Sequence, residues 1–202
     1  MKMVSAAKLR RAQDAIVKMR PYAQKLQEML SNIVSSSESG AEMTLAAERP
    51  VEKVLLIVIS SDRGLAGAFN ANVAKLTKST IAEKYADQHK KGNVTIWNIG
   101  KKAFENLSKA NYKTNAAFKD IFLQLSFERV QEAAAAARQS FLNKEFDVVE
   151  IIYSQFKNAG TQRFVVERYL PISRTEKKAG ATQADFIFDP EKNTLVAELM
   201  PR

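Results

Sequence analysis

The sequence contains no cysteine and only one histidine among its 202 residues. Without cysteine the chain cannot form a disulfide, present a thiolate nucleophile or bind a metal through sulfur, and this composition suits a reducing compartment. The single histidine, His89, stands in a polar run, so a histidine-based triad or metal site has nothing to build on. We therefore expect no catalytic residue, no cofactor and no metal.

Long hydrophobic stretches are also lacking. The longest apolar run, Val54 to Ile59, has six residues, whereas a membrane-spanning helix needs about 20. No apolar stretch follows the basic start as a signal peptide requires. The 46% hydrophobic content still suffices for one ordinary core. We expect a globular domain with an appendage, neither inserted in a membrane nor secreted.

The first 37 residues carry a hydrophobic seam. Its members recur at alternating steps of three and four residues, the a and d spacing of a coiled coil. Pro21 removes one backbone bond, but the seam keeps its register on both sides, so we predict one kinked helix over 1–37. No later segment repeats the pattern over a comparable length, which predicts a partner helix that the rest of the sequence does not supply. The seam residues are Leu9, Ala12, Ile16, Met19, Ala23, Leu26, Leu30 and Ile33.

The same helix is strongly basic. The first 25 residues contain seven Lys and Arg against one Asp, a net charge of +6 out of +9 for the chain. Such a helix favours an acidic partner surface. A nucleic-acid-binding module is an alternative, because clustered basic residues are also the footprint of phosphate binding. Against it, only Tyr22 could stack on a base, and no helix-turn-helix or zinc-finger spacing is present.

The remaining sequence indicates an α/β domain. We predict a linker over 38–50, a globular domain over 51–188 and the start of another helix over 189–202. Apolar strands alternate with amphipathic helices, which is typical of a mostly parallel, Rossmann-like sheet, and the short final loop makes the last strand antiparallel. The predicted strands are 54–60, 94–99, 116–122, 148–153 and 164–170, and the predicted helices are 66–88, 102–109 and 127–142.

The loop after the first strand is a candidate phosphate site, since phosphates bind where a strand turns into a helix N-terminus. Gly64 and Gly67 give G-x-x-G instead of the dinucleotide pattern, and no Lys-Ser or Lys-Thr follows. We interpret Asp62, Gly64 and Gly67 as a structural turn in which Asp62 or Ser61 caps backbone amides and the glycines allow close helix-to-strand approach. A nucleotide or phosphoryl enzyme that uses Ser61, Asp62 and Gly64 is the less favoured alternative.

Three stretches, 1–13, 20–23 and 60–70, resemble the gamma subunit of F-type ATP synthases in the same order. The resemblance covers essentially the whole chain. It implies a Rossmann-like domain that binds no nucleotide, and N- and C-terminal helices that form an antiparallel coiled coil, the rotating shaft inside a ring of alpha and beta subunits. Family members continue before Met1 and after Arg202, so we expect a sequence truncated at both ends. The redox insert of the chloroplast members is absent.

The resemblance also implies a role and partners. We expect a non-catalytic rotor subunit of the central stalk, which couples proton flow through the membrane sector to ATP synthesis on the beta subunits. Its partners would be the alpha, beta, epsilon and delta subunits and the c-ring, at the cytoplasmic face of the bacterial plasma membrane, without nucleic acid or a small-molecule substrate. Expected contacts with the alpha and beta ring are Met1, Lys8, Arg10 and Arg11, and with epsilon and the c-ring Phe186, Phe188, Asp189 and Glu191.

Overall fold

The structure is a computed structural model that describes residues 2–36, 44–158 and 160–173. Met1, most of the predicted linker and the predicted helix start over 189–202 lie outside the described residues. The second half of the predicted linker is packed against the domain, because Leu45 and Ala46 are buried. Arg49 fastens it further by donating from Nη2 to the carbonyls of Phe141 and Phe146, each at 3.1 Å.

A single helix, α1 (Lys2–Ser36), runs through Pro21 without a break. Its 35 residues give a length of about 52 Å at about 1.5 Å per residue. The proline has no N–H to donate to the carbonyl of Val17 four residues earlier, which costs one bond of the helix ladder. The long N-terminal helix predicted from the unbroken seam is confirmed.

A five-stranded sheet forms the centre of the globular part. Its strands are β1 (Val54–Ile59), β2 (Val94–Ile99), β3 (Thr114–Asn115), β4 (Val148–Asn158) and β5 (Thr161–Leu170). They lie in the order β3-β2-β1-β4-β5. The first four are parallel, and β5 runs antiparallel to β4. The predicted mostly parallel sheet with one antiparallel strand is therefore confirmed.

Helices cover both faces of this sheet. They are α2 (Phe69–Lys84), α3 (Ala86–Lys90), α4 (Lys101–Lys109) and α5 (Phe127–Leu142). Val73 of α2 and Leu107 of α4 pack in one core cluster with Leu56 of β1, while Phe141 of α5 packs on the other face with Leu55. Because successive strand residues point to opposite faces and both faces are covered, β1 is apolar at every position.

Two predicted elements differ from the structure. The strand predicted over 116–122 is wrong: β3 has only two residues, and a turn and a 3-10 helix (Ile121–Gln124) follow. The Asn115 side chain accepts a hydrogen bond from the Ala117 N–H at 2.8 Å, which closes a turn where a longer strand would continue. The helix predicted over 66–88 is interrupted at Tyr85, where φ is −130°, so that α2 and α3 are separate.

Candidate functional site: the loop at the sheet edge and the exposed helix

The order in which strands are added to the sheet reverses between β1 and β4. From β1 the chain moves outward through β2 to β3, and then returns across the other face to place β4 beside β1. In open α/β sheets, ligands bind outside the carboxyl ends of the strands at such a reversal. The loop after β1, which carries Asp62, Gly64 and Gly67, lies at this point.

The loop after β1 caps the first turn of α4 instead of the helix that it leads into. Backbone N–H groups in the first turn of α4 donate to it: Lys101 to Asp62 Oδ1 at 3.2 Å, Lys102 to the Ser61 carbonyl at 3.1 Å and Ala103 to Ser60 Oγ at 2.9 Å. Amides in the first turn of a helix have no partner within the helix, so they are the donors that bind an anion at a helix N-terminus. Since the chain itself satisfies them, Asp62 and Ser61 act as caps, and the helix they cap is α4.

Asn70 fixes the other end of the loop. This buried residue of α2 accepts from the Ser61 N–H at 3.1 Å and from Ser61 Oγ at 3.0 Å, and its Nδ2 donates to the Arg63 carbonyl at 3.4 Å. Sequence reasoning missed this role. The available signal was a polar side chain in the first turn of a predicted helix, next to a turn that needed hydrogen-bond partners.

Of the two loop glycines, only Gly67 has a backbone conformation that favours glycine. Gly67 has a φ of +56°, and a Cβ at that position would meet nothing within 4 Å. A Cβ at Gly64 would meet only Lys102 Cε, at 4.0 Å. Neither glycine stands at a close helix-to-strand approach. That approach lies at Gly100, between β2 and α4, where a Cβ would fall 2.4 Å from the Ser60 carbonyl oxygen and φ is +101°.

α1 meets the globular part beside this edge. β4 pairs with β1 as far as Ile152 and continues to Asn158 in a hairpin with β5. Arg20 of α1 donates a hydrogen bond to the carbonyl of Phe156 in that extension. Nearby, burial and a hydrogen bond to Glu167 raise the pKa of the Tyr153 hydroxyl, so this group stays neutral at physiological pH.

The hydrophobic seam of α1 faces solvent. Leu9 is 57% exposed, Ile16 42% and Met19 65%, and Ala12 and Ala23 are exposed as well. Leu26 is partly buried, and the side chains of Leu30 and Ile33 lie outside the description. Leaving such a row of apolar side chains in water is unusual for a folded chain, and it marks an interaction surface.

The predicted contact residues fall into two groups. Lys8, Arg10 and Arg11 are all exposed on α1. With one residue every 100° around a helix, Arg10 lies on the side opposite the seam. The remaining predicted contacts, Met1 and the group Phe186, Phe188, Asp189 and Glu191, lie outside the described residues.

The described residues offer little for chemistry beyond these contacts. In the ranges that the structure describes, no three His, Asp or Glu side chains come together as a metal-binding group. None of the helices described there is long and apolar enough to cross a bilayer. What the structure presents is a loop that caps the first turn of α4, and a long exposed helix that carries an apolar seam and basic side chains.

Comparison with known proteins identifies relatives along the whole chain. Residues 1–202 match the profile of a family described as ATP synthase. The chain is 44% identical to the ATP synthase gamma chain of Cytophaga hutchinsonii, covering all of this chain and 70% of that protein. It is also 44% identical to the gamma chain of Flavobacterium johnsoniae, covering all of this chain and 68% of that one.

Solved structures share the fold. One describes the central stalk and c-ring of the Tetrahymena thermophila mitochondrial ATP synthase, with a TM-score of 0.54 and 21% identity over all of this chain and 86% of that one. Another describes the rotor of the Euglena gracilis mitochondrial ATP synthase, with a TM-score of 0.50 and 18% identity over 83% of this chain and 55% of that one.

Proposed function

The chain belongs to the gamma-chain family of ATP synthases and is a rotor subunit of the central stalk; from this premise we propose that it couples proton flow through the membrane sector to ATP synthesis by mechanical means, without catalytic residues of its own. In this proposal the beta subunits carry the catalytic sites. The gamma chain contributes shape and charge, and its changing contacts shift those sites between states of different affinity.

The exposed seam of α1 is the observation that carries the proposal. A helix gains most of its stability by burying an apolar face, yet Leu9 and Met19 are more than half exposed and Ile16 is 42% exposed. An apolar stripe with a and d spacing is shaped for a second long helix. We infer that an antiparallel helix of the gamma chain covers the seam in the assembled enzyme, and that the pair forms the shaft.

The basic residues of α1 supply the second contact. Lys8, Arg10 and Arg11 project into solvent, where they can attract acidic loops of the alpha and beta ring. Phe186, Phe188, Asp189 and Glu191 are the residues that we propose meet epsilon and the c-ring, with delta as a further subunit of the same complex. The complex would lie at the cytoplasmic face of a bacterial plasma membrane, which the chain reaches only through its partners.

The alternatives receive no support. The matching family and the relatives are ATP synthase proteins, and none of those reported above is named as a nucleic-acid-binding protein. The nucleotide-enzyme alternative would use Ser61, Asp62 and Gly64, but Asp62 Oδ1 and the Ser61 carbonyl already accept hydrogen bonds from α4 amides.

Replacing Ile16 by Asp tests the seam. In the ATP synthase assembled with this chain, we expect Ile16→Asp to lower ATP-driven proton pumping by at least about tenfold, because a buried unpaired carboxylate would oppose pairing of the helices. Pumping is measured in membrane vesicles by the quenching of a pH-sensitive dye, together with ATP hydrolysis.

Val17→Asp is the matched control. Val17 is 59% exposed, and it lies next to Ile16 but away from the seam, since one residue turns a helix by 100°. Val17→Asp makes the same change in charge as Ile16→Asp and a similar change in helix propensity. If Ile16→Asp pumps as well as Val17→Asp and the unmodified enzyme, the seam is not the surface that pairs, and the proposed shaft is wrong.

A further inference from the structure

Arg20 joins α1 to the globular part. Its guanidinium donates a hydrogen bond to the carbonyl of Phe156, which lies 136 positions later in the chain. Among the α1 side chains that the structure describes, residues 3–29, no other side chain hydrogen-bonds to the globular part. Most of those side chains are exposed, whereas Arg20 is partly buried. The described side chains of α1 are therefore tied to the globular part by hydrogen bonding at a single point.

The Phe156 carbonyl belongs to a stretch of β4 that has a strand on one side only. Pairing of β4 with β1 ends at Ile152, whereas pairing with β5 continues to Asn158. Backbone groups on the open side of such a stretch have no neighbouring strand to bond with. The Arg20 guanidinium supplies a donor to this stretch. A hydrogen bond from a charged donor is stronger than one between neutral groups.

The hairpin that receives Arg20 is braced across its two strands. The Tyr153 hydroxyl of β4 donates to Glu167 Oε2 of β5 at 2.9 Å and accepts from Gln155 Nε2 at 3.4 Å. Burial is the largest influence on the pKa of the Tyr153 hydroxyl and raises it, whereas the nearby positive charge of Arg20 acts in the opposite direction. Arg20 thus lies beside a cross-strand bond, and the hairpin offers it a firm support.

The position of Arg20 along α1 gives this contact a mechanical effect. It lies 16 residues before Ser36, the last residue of the helix, which is about 24 Å along the axis at about 1.5 Å per residue. A helix attached only at its end can tilt and can turn about its own axis. A contact far from that end, made by a side chain that projects to one side of the axis, resists both motions.

We propose that Arg20 fixes the rotational position of the shaft on the β4–β5 hairpin, so that torque passes between the shaft and the globular part through this contact. The inference rests on the proposed function, because only a rotor has torque to pass on. Arg20 is a positioning residue that acts through the hairpin. Without its hydrogen bond, ATP hydrolysis still turns the shaft, but the globular part slips relative to it, and fewer protons move for each ATP.

Removing the guanidinium should uncouple the enzyme without stopping it. Loss of a hydrogen bond from a charged donor lowers the attached population by about tenfold or more, so in the ATP synthase assembled with this chain we expect Arg20→Ala to lower the ratio of proton pumping to ATP hydrolysis by at least about threefold. Hydrolysis itself should stay near that of the parent enzyme. Pumping is measured in membrane vesicles with a pH-sensitive dye, and hydrolysis in the same vesicles.

Two further variants separate this role from a general effect of charge or folding. Arg20→Lys keeps a charged donor for the single hydrogen bond made here, and we expect it to retain at least about half of the parent's ratio. Lys18→Ala removes the same charge from an exposed residue two positions earlier and should leave the ratio unchanged. An unchanged ratio in Arg20→Ala, an equal loss in Lys18→Ala, or no recovery in Arg20→Lys would each overturn the inference.

A covalent link in place of the hydrogen bond gives a second test. The chain has no native cysteine, so Arg20→Cys and Lys157→Cys together provide one pair of thiols in it. Lys157 is the exposed neighbour of Phe156, and it lies on the same face of β4 as Tyr153, since strand residues alternate. A bifunctional maleimide that joins the two thiols should return the ratio to within about twofold of the parent, because the link holds the two elements together permanently.

Two controls accompany the link. A monofunctional maleimide on the same double variant should restore nothing, and the parent enzyme treated with the bifunctional reagent reports on thiols of the other subunits. Formation of the link, shown by mass spectrometry, without recovery of the ratio would overturn the inference.

The results also distinguish this inference from the proposed function. An enzyme that does not pump protons with the unmodified chain would contradict the proposed function, and the inference would fall with it. Equal coupling with the unmodified chain and with Arg20→Ala would leave the proposed function intact and overturn only the role of Arg20.

Discussion

Gly100 is the residue whose replacement the structure tolerates least among the described glycines. It has a φ of +101°, and a Cβ would lie 2.4 Å from the Ser60 carbonyl oxygen and 2.8 Å from Ser60 Oγ. The clash therefore involves backbone, which cannot swing away as the end of a long side chain can. Ser60 in turn caps α4 through Oγ, so a displaced Ser60 would also loosen the start of that helix.

Gly100→Ala should destabilise the protein strongly. A backbone conformation of this kind, with φ +101° and ψ 137°, costs an alanine about 1–3 kcal/mol, and forced overpacking adds about 1–3 kcal/mol. Gly92→Ala is the matched control, because Gly92 also has a positive φ, +73°, but open space around it. We expect Gly100→Ala to lose at least about 2 kcal/mol more than Gly92→Ala in urea unfolding. Equal losses would mean that Ser60 moves aside without cost.

Sequence reasoning could not find Gly100. It found Gly64 and Gly67 because they stand in one short loop and can be compared with known glycine patterns. Gly100 acts on Ser60, which lies 40 positions earlier in the chain and becomes its neighbour only when β1 and β2 pair in register, with Ile59 opposite Ile99. A contact of that kind depends on the fold and leaves no local pattern.

At the scale of elements, the agreement follows the strength of local signals. α5 has the bounds predicted for it. Alanines, which favour helix, fill its middle, and the structure adds a cap, since Ser126 before the helix accepts from the Arg129 N–H. β1 and β2 were predicted within one residue from their apolar runs. The strand predicted over 116–122 is wrong because Phe122, although apolar, is exposed, and apolar character was the evidence for a strand there.

Among the helices that the structure describes, α1 differs from α2, α4 and α5 in how little of its apolar side-chain surface is buried. Within the described residues its large apolar side chains are mostly in solvent, whereas α2, α4 and α5 each contribute buried residues to a core. Local opening free energy follows burial and tertiary contacts. Most helical stability in proteins comes from packing an apolar face against the rest of the molecule, and α1 packs little of its seam.

Hydrogen exchange should separate the two regions. In the isolated chain at low micromolar concentration, we expect amides of α1 between residues 5 and 15 to exchange at least about 100-fold faster than amides of β1 and β4, after correction for intrinsic rates. Mass spectrometry of peptic peptides measures this. Equal protection of α1 and β1 would show that the seam is already covered in the isolated chain, and that it needs no further partner.

At the scale of the whole molecule, the sequence supported the fold class and the rotor assignment together. Alternating strands and helices led to the α/β sheet, and the stretches 1–13, 20–23 and 60–70 led to the gamma family. The bonds that close the loop at the sheet edge could not be predicted, because they join residues far apart in the sequence. Asp62 and Lys101 are 39 positions apart, and Ser60 and Ala103 are 43 positions apart. Fold class follows from local pattern, while these contacts follow from tertiary geometry.

The closed loop predicts that the chain binds no nucleotide. The loop lacks the dinucleotide glycine pattern, and a phosphate at the first turn of α4 would have to displace the caps that Asp62, Ser61 and Ser60 provide. We expect isothermal titration with ATP or ADP, with and without Mg²⁺, to show no saturable binding up to millimolar ligand. Micromolar binding that is lost in Gly64→Val or in Asp62→Ala would contradict this and revive the enzyme alternative.

The place of β1 between β2 and β4 has a consequence for the nascent chain. β4 begins at Val148 and β1 at Val54, 94 positions earlier, as the difference of these numbers shows. At about 5–20 residues per second, the ribosome needs roughly 5 to 20 s to supply the strand that completes the burial of β1. During that time the run from Val54 to Ile59 can pair with β2 at most, so one side of a wholly apolar strand is open to chaperones and to other nascent chains.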